Sequence, residues 1–342
     1  MSGHDIIVVG ASAGGLEALK TLASDLPPDL PAALFVVLHI PPDSRSVLPT
    51  ILSRAGALPA AHATDGEAIQ HSRIYVAPPN HHLVLERGYV RITRGPKENR
   101  TRPAVDVLFR SAAYAYGPRV IGVVLSGQLD DGTAGLWAVK DRGGLTVVQD
   151  PRDAVYPSMP QSALRHVAID YCLPIADIAS ILVRLPGEPA PEEEKCPVSK
   201  ALEIETHIAQ EQNPLEAGVM QLGQLSPYTC PECHGVLLQL QEGGILRFRC
   251  HTGHAFSVSC LLAEVTAFID RLLWSTVRGI EESVLLLQHL TRHTEEHHDR
   301  TTAAYIRQKA READRRAALV RQAAMEHEQL SPEILPVELD DG

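Results

Sequence analysis

Two groups of residues in this chain of 342 have types and spacings suited to chemistry. The first centres on Ser12, in Gly10-Ala11-Ser12-Ala13-Gly14-Gly15, directly behind the aliphatic run Ile6-Ile7-Val8-Val9. A serine on a strand-to-helix turn can stand its hydroxyl above a sheet edge, where nearby backbone N–H groups stabilise an oxyanion. Such a serine needs a base, and His39 closes the next aliphatic run, Leu34-Phe35-Val36-Val37-Leu38. The histidine needs an orienting carboxylate. Ser126-Gly127-Gln128-Leu129-Asp130-Asp131-Gly132, leaving the run Val120–Leu125, offers two. Serine, histidine and aspartate at three strand ends form a nucleophile–base–orienter set for acyl transfer. Taken singly, each also has a plain structural job: a helix cap for Ser12 or Asp131, a loop hydrogen bond for His39.

The second group is Cys230-Pro231-Glu232-Cys233 followed, after sixteen residues, by Cys250-His251-Thr252-Gly253-His254. Two thiolates two residues apart fit one side of a tetrahedral zinc, and a second pair closes the site. His254, at Cys-x3-His, can reach back to the metal, whereas His251 would need a tighter chelate; His254 is preferred as fourth ligand to Cys230, Cys233 and Cys250. Four protein ligands leave no open position, so the zinc is structural and catalysis takes no cofactor. Reduced cysteines without metal are the bland alternative. His293, His297 and His298 read as a solvated helix face, and His81 and His82 receive no role.

The elements that must position these residues alternate. The aliphatic runs at 6–9, 34–38, 120–125 and 145–149 read as buried strands, separated by helices over Leu16–Leu26, Val105–Tyr116 and Gly132–Arg142. That order implies a mostly parallel, doubly wound α/β sheet. Weaker strands at Arg73–Ala77, His82–Glu86 and Tyr89–Thr93 suggest an antiparallel excursion from it. The glycine turn at 10–15 lacks Gly-x-Gly-x-x-Gly, and the second strand ends in His39 where a dinucleotide fold wants an acid, which argues against a nucleotide. Pro186 to Pro197 is Pro/Glu-rich and reads as a linker. A strand-turn-strand (Val236–Gln241, Leu246–Arg249) lies between the cysteine pairs, as in a zinc-ribbon-like module. Apolar positions from Leu261 to Leu287, alternately four and three apart, predict a long helix capped by Ser259. A second helix, about Thr302 to Glu328, carries an alanine seam and packs back as a hairpin. The expected division is 1–185 catalytic, 186–199 linker, 200–260 helical lead-in and ribbon, 261–330 helical hairpin and 331–342 acidic tail.

Composition bounds the rest. Apolar residues make up 44% and charged residues 21%, a globular balance. Residues 1–185 hold 17 Lys/Arg against 17 Asp/Glu, so the net charge of −11 lies wholly beyond them. A basic patch broad enough for non-specific nucleic-acid binding is therefore not expected, and no nucleic-acid partner is expected. The apolar stretch Leu30–Leu38 falls far short of the roughly 18 residues that span a membrane. With no basic-then-apolar leader, a cytoplasmic location is expected. All six cysteines lie at or beyond Cys172 and cluster, as metal ligands do in a reducing compartment.

Residues 4–185 resemble the catalytic domain of the CheB-type chemotaxis protein-glutamate methylesterases. The likeness rests on Gly10 to Gly15, on His39-Ile40-Pro41-Pro42, on Asn99-Arg100-Thr101-Arg102-Pro103-Ala104-Val105-Asp106-Val107-Leu108-Phe109, and on Ser126 to Gly132. The resemblance implies a methylesterase-type sheet with Ser12 as nucleophile, His39 as base and Asp131, in the family's Asp-Gly pair, as orienter. It implies an oxyanion hole from the N–H groups of Ala13 and Gln128. It implies glutamyl methyl esters of a chemoreceptor-like protein as substrate, and glutamine deamidation by the same chemistry. Ala13 stands where the family usually has threonine, and Gln128-Leu129 where it usually has Met-Gly. No receiver domain is expected before Ile6, hence no control by aspartyl phosphorylation in cis. The helices after the ribbon are expected to serve a second copy or a signalling partner, and no membrane insertion is expected. The competing class is a non-catalytic scaffold that keeps the fold for docking. The catalytic part, cysteine-free before Cys172, is expected to work without the zinc.

Overall fold

A computed structural model describes residues 3–43, 46–297 and 299–328. Strands without polar alternation must be covered on both faces, and the chain achieves this by winding helices across a parallel sheet. In chain order the elements are β1 (Ile6–Ala11), α1 (Gly15–Asp25), β2 (Ala33–Leu38), α2 (Leu48–Ala55), β3 (Ala60–His62), β4 (Arg73–Val76), β5 (His82–Glu86), β6 (Tyr89–Thr93), α3 (Val105–Tyr116), β7 (Val120–Val124), α4 (Thr133–Asp141), β8 (Leu145–Gln149), α5 (Ser158–His166), β9 (Tyr171–Leu173) and α6 (Ile175–Arg184). Seven strands pair in the order β3-β4-β2-β1-β7-β8-β9, every pair parallel.

The alternation within β1 shows how both faces are filled. Ile6 and Val8 pack with Phe35, Phe109 and Leu136 on one side, and Ile7 and Val9 with Leu19, Leu22 and Leu182 on the other. Each such side chain, taken from water to full burial, contributes about 1.5–3 kcal/mol. The order reverses around β1, whose neighbours β2 and β7 come from opposite halves of the winding. The loops leaving β1, β2 and β7 therefore meet at one crevice along the carboxyl edge.

Two details of the expected sheet are corrected. β4 belongs to the parallel sheet, between β2 and β3, because Ile74, Tyr75 and Val76 are all buried and need cover on both sides. Only β5 and β6 form the antiparallel hairpin. The three-residue strands β3 and β9 were too short to carry a pattern.

The chain continues through α7 (Lys200–Ala209), α8 (Pro214–Ala217), β10 (Gln224–Thr229), β11 (Val236–Glu242), β12 (Ile245–Cys250), β13 (Ala255–Ser257), α9 (Val258–Glu296) and α10 (Arg300–Met325). Strands β10 to β13 form an antiparallel sheet around Leu237, Phe248 and Phe256. The cap of α9 is Ser257 rather than Ser259: its Oγ accepts the Cys260 N–H at 3.0 Å.

The described residues up to 261 make one compact unit and those from 262 onward another. The boundary expected at 186–199 thus lies inside the first unit. Its halves are joined by buried charge: Arg249 Nη2 lies 2.7 Å from Glu98 and 2.7 Å from Glu205, Arg247 lies 2.8 Å from Glu205, and Arg110 pairs with Glu98. Glu242 completes the set on Arg247 at 2.9 Å, giving three guanidiniums to three carboxylates. Burial raises the proton affinity of Glu98 and Glu205, but the arginines outweigh it and hold both below the usual carboxylate range.

In the second unit, Val277, Val284 and Thr291 of α9 and Ala303, Ala310, Ala317 and Ala324 of α10 are buried, each series at intervals of seven. Glu281–Arg321 and Glu295–Arg307 ion pairs join the two helices. The acidic tail expected at 331–342, and the last residues of the hairpin, lie outside the described residues. Among the described residues, no helix is long and apolar enough to cross a membrane.

Candidate active site

Each strand around the switch point delivers one side chain. β1 ends at Ala11, and the Ser12 N–H donates to Ser126 O at 3.0 Å, so the serine turn is tied to the loop after β7. The His39 N–H donates to Ala11 O at 3.1 Å, continuing the β1–β2 ladder by one residue. Gly14, at φ 72, turns the chain into α1, and a Cβ there would stand 2.7 Å from Ser126 Oγ. The Ser126 hydroxyl is occupied: it donates to Ala13 O at 2.9 Å and accepts the Tyr156 N–H at 3.0 Å.

The three expected groups converge. Ser12 Oγ lies 3.1 Å from His39 Nδ1, and His39 Nε2 lies 2.8 Å from Asp131 Oδ2. A carboxylate can only accept, so Nε2 carries the ring proton and Nδ1 is left to accept from the serine hydroxyl. The His39 side chain is 14% exposed and that of Asp131 3%, which leaves the imidazole reachable and the carboxylate dry.

Four donors hold Asp131. Besides His39, its Oδ2 accepts the Val105 N–H at 2.7 Å, while Oδ1 accepts Asn99 Nδ2 at 2.8 Å and the Asp106 N–H at 3.2 Å. Burial pushes the carboxyl up; the bonds from His39, Asn99 and Val105 more than reverse this, and Asp131 stays below the usual range. Asp106, beside it, goes the other way: burial and the Asp131 charge push it up to about 7. Asp130 turns away from the histidine, and its Oδ1 takes the Ser257 hydroxyl at 2.6 Å.

Ala13 follows the serine in the same turn, and Gln128 lies in the loop after β7. That loop sits hard against the serine: a Cβ on Gly127 would stand 2.9 Å from Ser12 Cβ and 2.0 Å from Met159 Sδ. Only glycine fits there, and Gln128 is the next residue along the chain. Leu129 occupies the left-handed region at φ 62.

Asn99, Val105 and Asp106 lie in a segment that carries the family likeness, but nothing in the sequence alone marks a role for them. Asn99, itself at φ 47, bridges Asp131 and Asp106 with one amide nitrogen, 2.8 Å from each. The available signal was an acid at the first turn of a predicted helix, which reads equally well as an ordinary cap. His82 is fully buried, with Nε2 3.0 Å from Pro96 O and Nδ1 accepting the Ala104 N–H at 3.3 Å. It braces the segment that carries Asn99.

The cysteine cluster forms at the turns of the β10–β13 sheet. Cys233 and Cys250 sulfurs are 3.7 Å apart, and His254 Nδ1 lies 3.8 Å from Cys230 Sγ and 3.6 Å from Cys250 Sγ. All four ligand atoms fall within 4.8 Å of one another. A tetrahedron with zinc–sulfur bonds of about 2.3 Å has edges of about 3.7 Å, so the donor set fits. His251 is outside the group, its ring against Gly235.

A family model described as CheB methylesterase matches residues 7–182. A putative protein-glutamate methylesterase/protein-glutamine glutaminase of Leptospira interrogans is 38% identical over 183 residues, covering 53% of this chain and 95% of that protein. A protein-glutamate methylesterase/protein-glutamine glutaminase of Methanosarcina mazei is 34% identical over 190 residues, 53% of this chain and 52% of its own. The crystal structure of the Thermotoga maritima CheB methylesterase catalytic domain superposes with a TM-score of 0.52 at 35% identity, covering 54% of this chain and all of that one.

Proposed function

The chain belongs to the CheB methylesterase family, and from that premise we propose that it hydrolyses glutamyl methyl esters on a chemoreceptor-like protein, and deamidates glutamine by the same route, through an acyl-enzyme on Ser12. The observation that carries this reading is the unbroken chain Ser12 Oγ–His39 Nδ1, His39 Nε2–Asp131 at the crevice where three strand ends meet. As Ser12 attacks the ester carbonyl, its proton passes to His39 Nδ1 and the carbonyl oxygen becomes an oxyanion beside the N–H groups of Ala13 and Gln128. Asp131 stabilises the imidazolium. Collapse of the intermediate returns that proton to the departing methoxide, releasing methanol, or to the departing amine from glutamine, releasing ammonia. Water, deprotonated by His39, then attacks the acyl-serine and frees the glutamate.

Zinc at Cys230, Cys233, Cys250 and His254 supplies a cross-link and takes no part in the chemical steps. Three thiolates and one imidazole at tetrahedral spacing support the assignment. The hairpin between the cysteine pairs has a small core, so the metal contributes much of its folding free energy.

Methanol release from a methylated receptor tests the esterase reading. Ser12→Ala is expected to lower kcat by about 10³-fold or more, because the serine and histidine act as one unit. Equal turnover by wild type and Ser12→Ala would remove the nucleophile assignment and leave a docking scaffold in its place.

A further inference from the structure

The cysteine cluster and the triad are wired together. His254 leads straight into β13, which pairs with β12 on one edge (Phe248↔Phe256, Arg249↔Ala255). On its other edge lies the 97–101 segment: the Ala255 N–H donates to Lys97 O at 3.3 Å, and the Asn99 N–H to Ala255 O at 2.9 Å. Two residues on, the Ser257 N–H donates to Asn99 Oδ1 at 2.9 Å. The Asn99 amide is thereby fixed in its flip, with Nδ2 turned to Asp131 and Asp106. A second tie runs in parallel, from Ser257 Oγ to Asp130, the neighbour of Asp131. Only two residues separate a cluster imidazole, His254, from the Ser257 N–H that aligns Asn99.

We propose that the metal-clasped hairpin is a working part of the esterase site: by holding β13 it makes Asn99 a positioning residue for Asp131, so that hydrolysis depends on the cluster's metal. This rests on the triad reading above and reverses the expectation that residues 1–185 work without zinc. His82 and the Glu98–Arg110 pair hold the ends of this loop, but the bonds to Asn99's own N–H and amide oxygen both come from β13. Without β13 the Asn99 amide loses the acceptor-side bond that orients it, and Asp131 loses one of four donors. An orienting carboxylate that shifts by even a fraction of an ångström misaligns His39 against Ser12. Asn99 touches neither Ser12 nor His39 and acts through Asp131 alone.

The test uses the full chain loaded with zinc, the same protein after chelation, and Asn99→Ala in both states, with a small chromogenic ester as substrate. Wild type is expected to lose about tenfold or more in kcat on chelation, with KM changed less than twofold, and to recover on return of zinc. Asn99→Ala is expected to start low and to be indifferent to zinc, since the link it would transmit is already cut. A second readout is hydrogen exchange: amides of 97–101 are expected to lose protection on chelation while those of β1 and β7 keep theirs, showing that the main sheet stays folded. Unchanged kcat on chelation, or the same fold-loss in Asn99→Ala as in wild type, would overturn the proposal. If loaded wild type shows no Ser12-dependent hydrolysis, the esterase reading fails. The exchange data then decide the link alone, with protection of 97–101 retained without zinc counting against it.

Discussion

Ser12 Oγ meets His39 at Nδ1, the ring nitrogen nearer the backbone, at 3.1 Å. The far nitrogen, Nε2, is thereby committed to Asp131, and the ring's tautomer is set by that carboxylate. The nitrogen facing Ser12 is therefore the one held closest to the main chain, where the bond from His39 N–H to Ala11 O fixes the backbone; in the proposed reaction it is the nitrogen that would exchange the serine proton.

From this follows the effect of Asp131→Asn. Both oxygens of Asp131 face only donors: His39 and Val105 on one, Asn99 and Asp106 N–H on the other. Whichever way the new amide turns, its NH2 group meets a donor. If it faces His39, the ring must carry its proton on Nδ1 and cannot accept from Ser12. A loss of about 10³–10⁴-fold in kcat is expected, as an orienter's loss costs in serine hydrolases generally. Turnover of the chromogenic ester within tenfold of wild type, by a variant that still unfolds cooperatively, would show that Asp131 does not orient the base.

Leu129 sits at φ 62 in the loop beside the nucleophile, where the family usually has glycine. A left-handed conformation costs an L-residue about 1–2 kcal/mol, and a β-branched one more. Glycine removes that strain but loses about 0.5–1 kcal/mol of chain entropy. Leu129→Gly is expected to match or exceed wild type by up to about 1 kcal/mol, and Leu129→Val to fall at least about 1 kcal/mol below it. Urea unfolding of the three proteins checks the order; a valine variant as stable as wild type would contradict the strain.

The parts of the site that could be read in advance are those that local pattern dictates. Aliphatic runs announce strands, strand ends announce the carboxyl edge, and Ser12, His39 and the Asp130-Asp131 pair sit directly at those ends. Which of the two aspartates faces His39 was not legible from the residues, because a one-residue step on a loop reverses the direction of the side chain. Asn99 was illegible as a partner of Asp131 for a different reason. Its contacts are made by a left-handed turn and by β13, more than 150 residues away, and no spacing rule reaches that far. Arg247 and Arg249 carried no legible signal either. Alternating arginines in a short strand are compatible with a solvated edge, yet these two are buried ties from the hairpin to Glu205 of α7 and to Glu98, which Arg110 of α3 also holds. A Pro/Glu-rich connection near 186–197 therefore marked a change in composition and no break in packing.

His82 gives the stability of the first unit a dependence on acid. Its ring is fully buried and neutral, giving Nε2–H to Pro96 O and accepting from Ala104. Burial pushes its pKa from 6.5 down to about 4. Between those values the unfolded chain binds a proton that the folded one refuses, so stability present above pH 6.5 is lost as the pH falls toward 4. The full span corresponds to about 3 kcal/mol. In urea titrations at pH 7 and pH 4.5, His82→Asn is expected to be weaker than wild type at pH 7, with its acid-side loss smaller by about 2–3 kcal/mol. The same acid loss in both proteins would place the titrating group elsewhere.

The buried charge network sets a final expectation, about how residues 1–261 come apart. Glu205 lies at the centre, bonded to Arg247 at 2.8 and 3.0 Å and to Arg249 at 2.7 and 3.0 Å, with Arg110 Nε 3.5 Å away. Replacing it by alanine leaves three guanidiniums in a buried site with two carboxylates, Glu98 and Glu242. Breaking a buried pair from one side costs about 3–5 kcal/mol, because the remaining charge stays desolvated. Glu205→Gln keeps the shape and the acceptor but not the charge, and should recover only part of that loss. Since the same arginines hold β12 and α3 together, the cost is expected in one shared transition. In a Trp274→Phe background, fluorescence from Trp137 in α4 and protease cutting within the β10–β13 hairpin region should move to lower urea together. If the hairpin opened at low urea while the Trp137 signal kept its wild-type midpoint, the two parts would be independent folding units and the network a local feature of the hairpin alone.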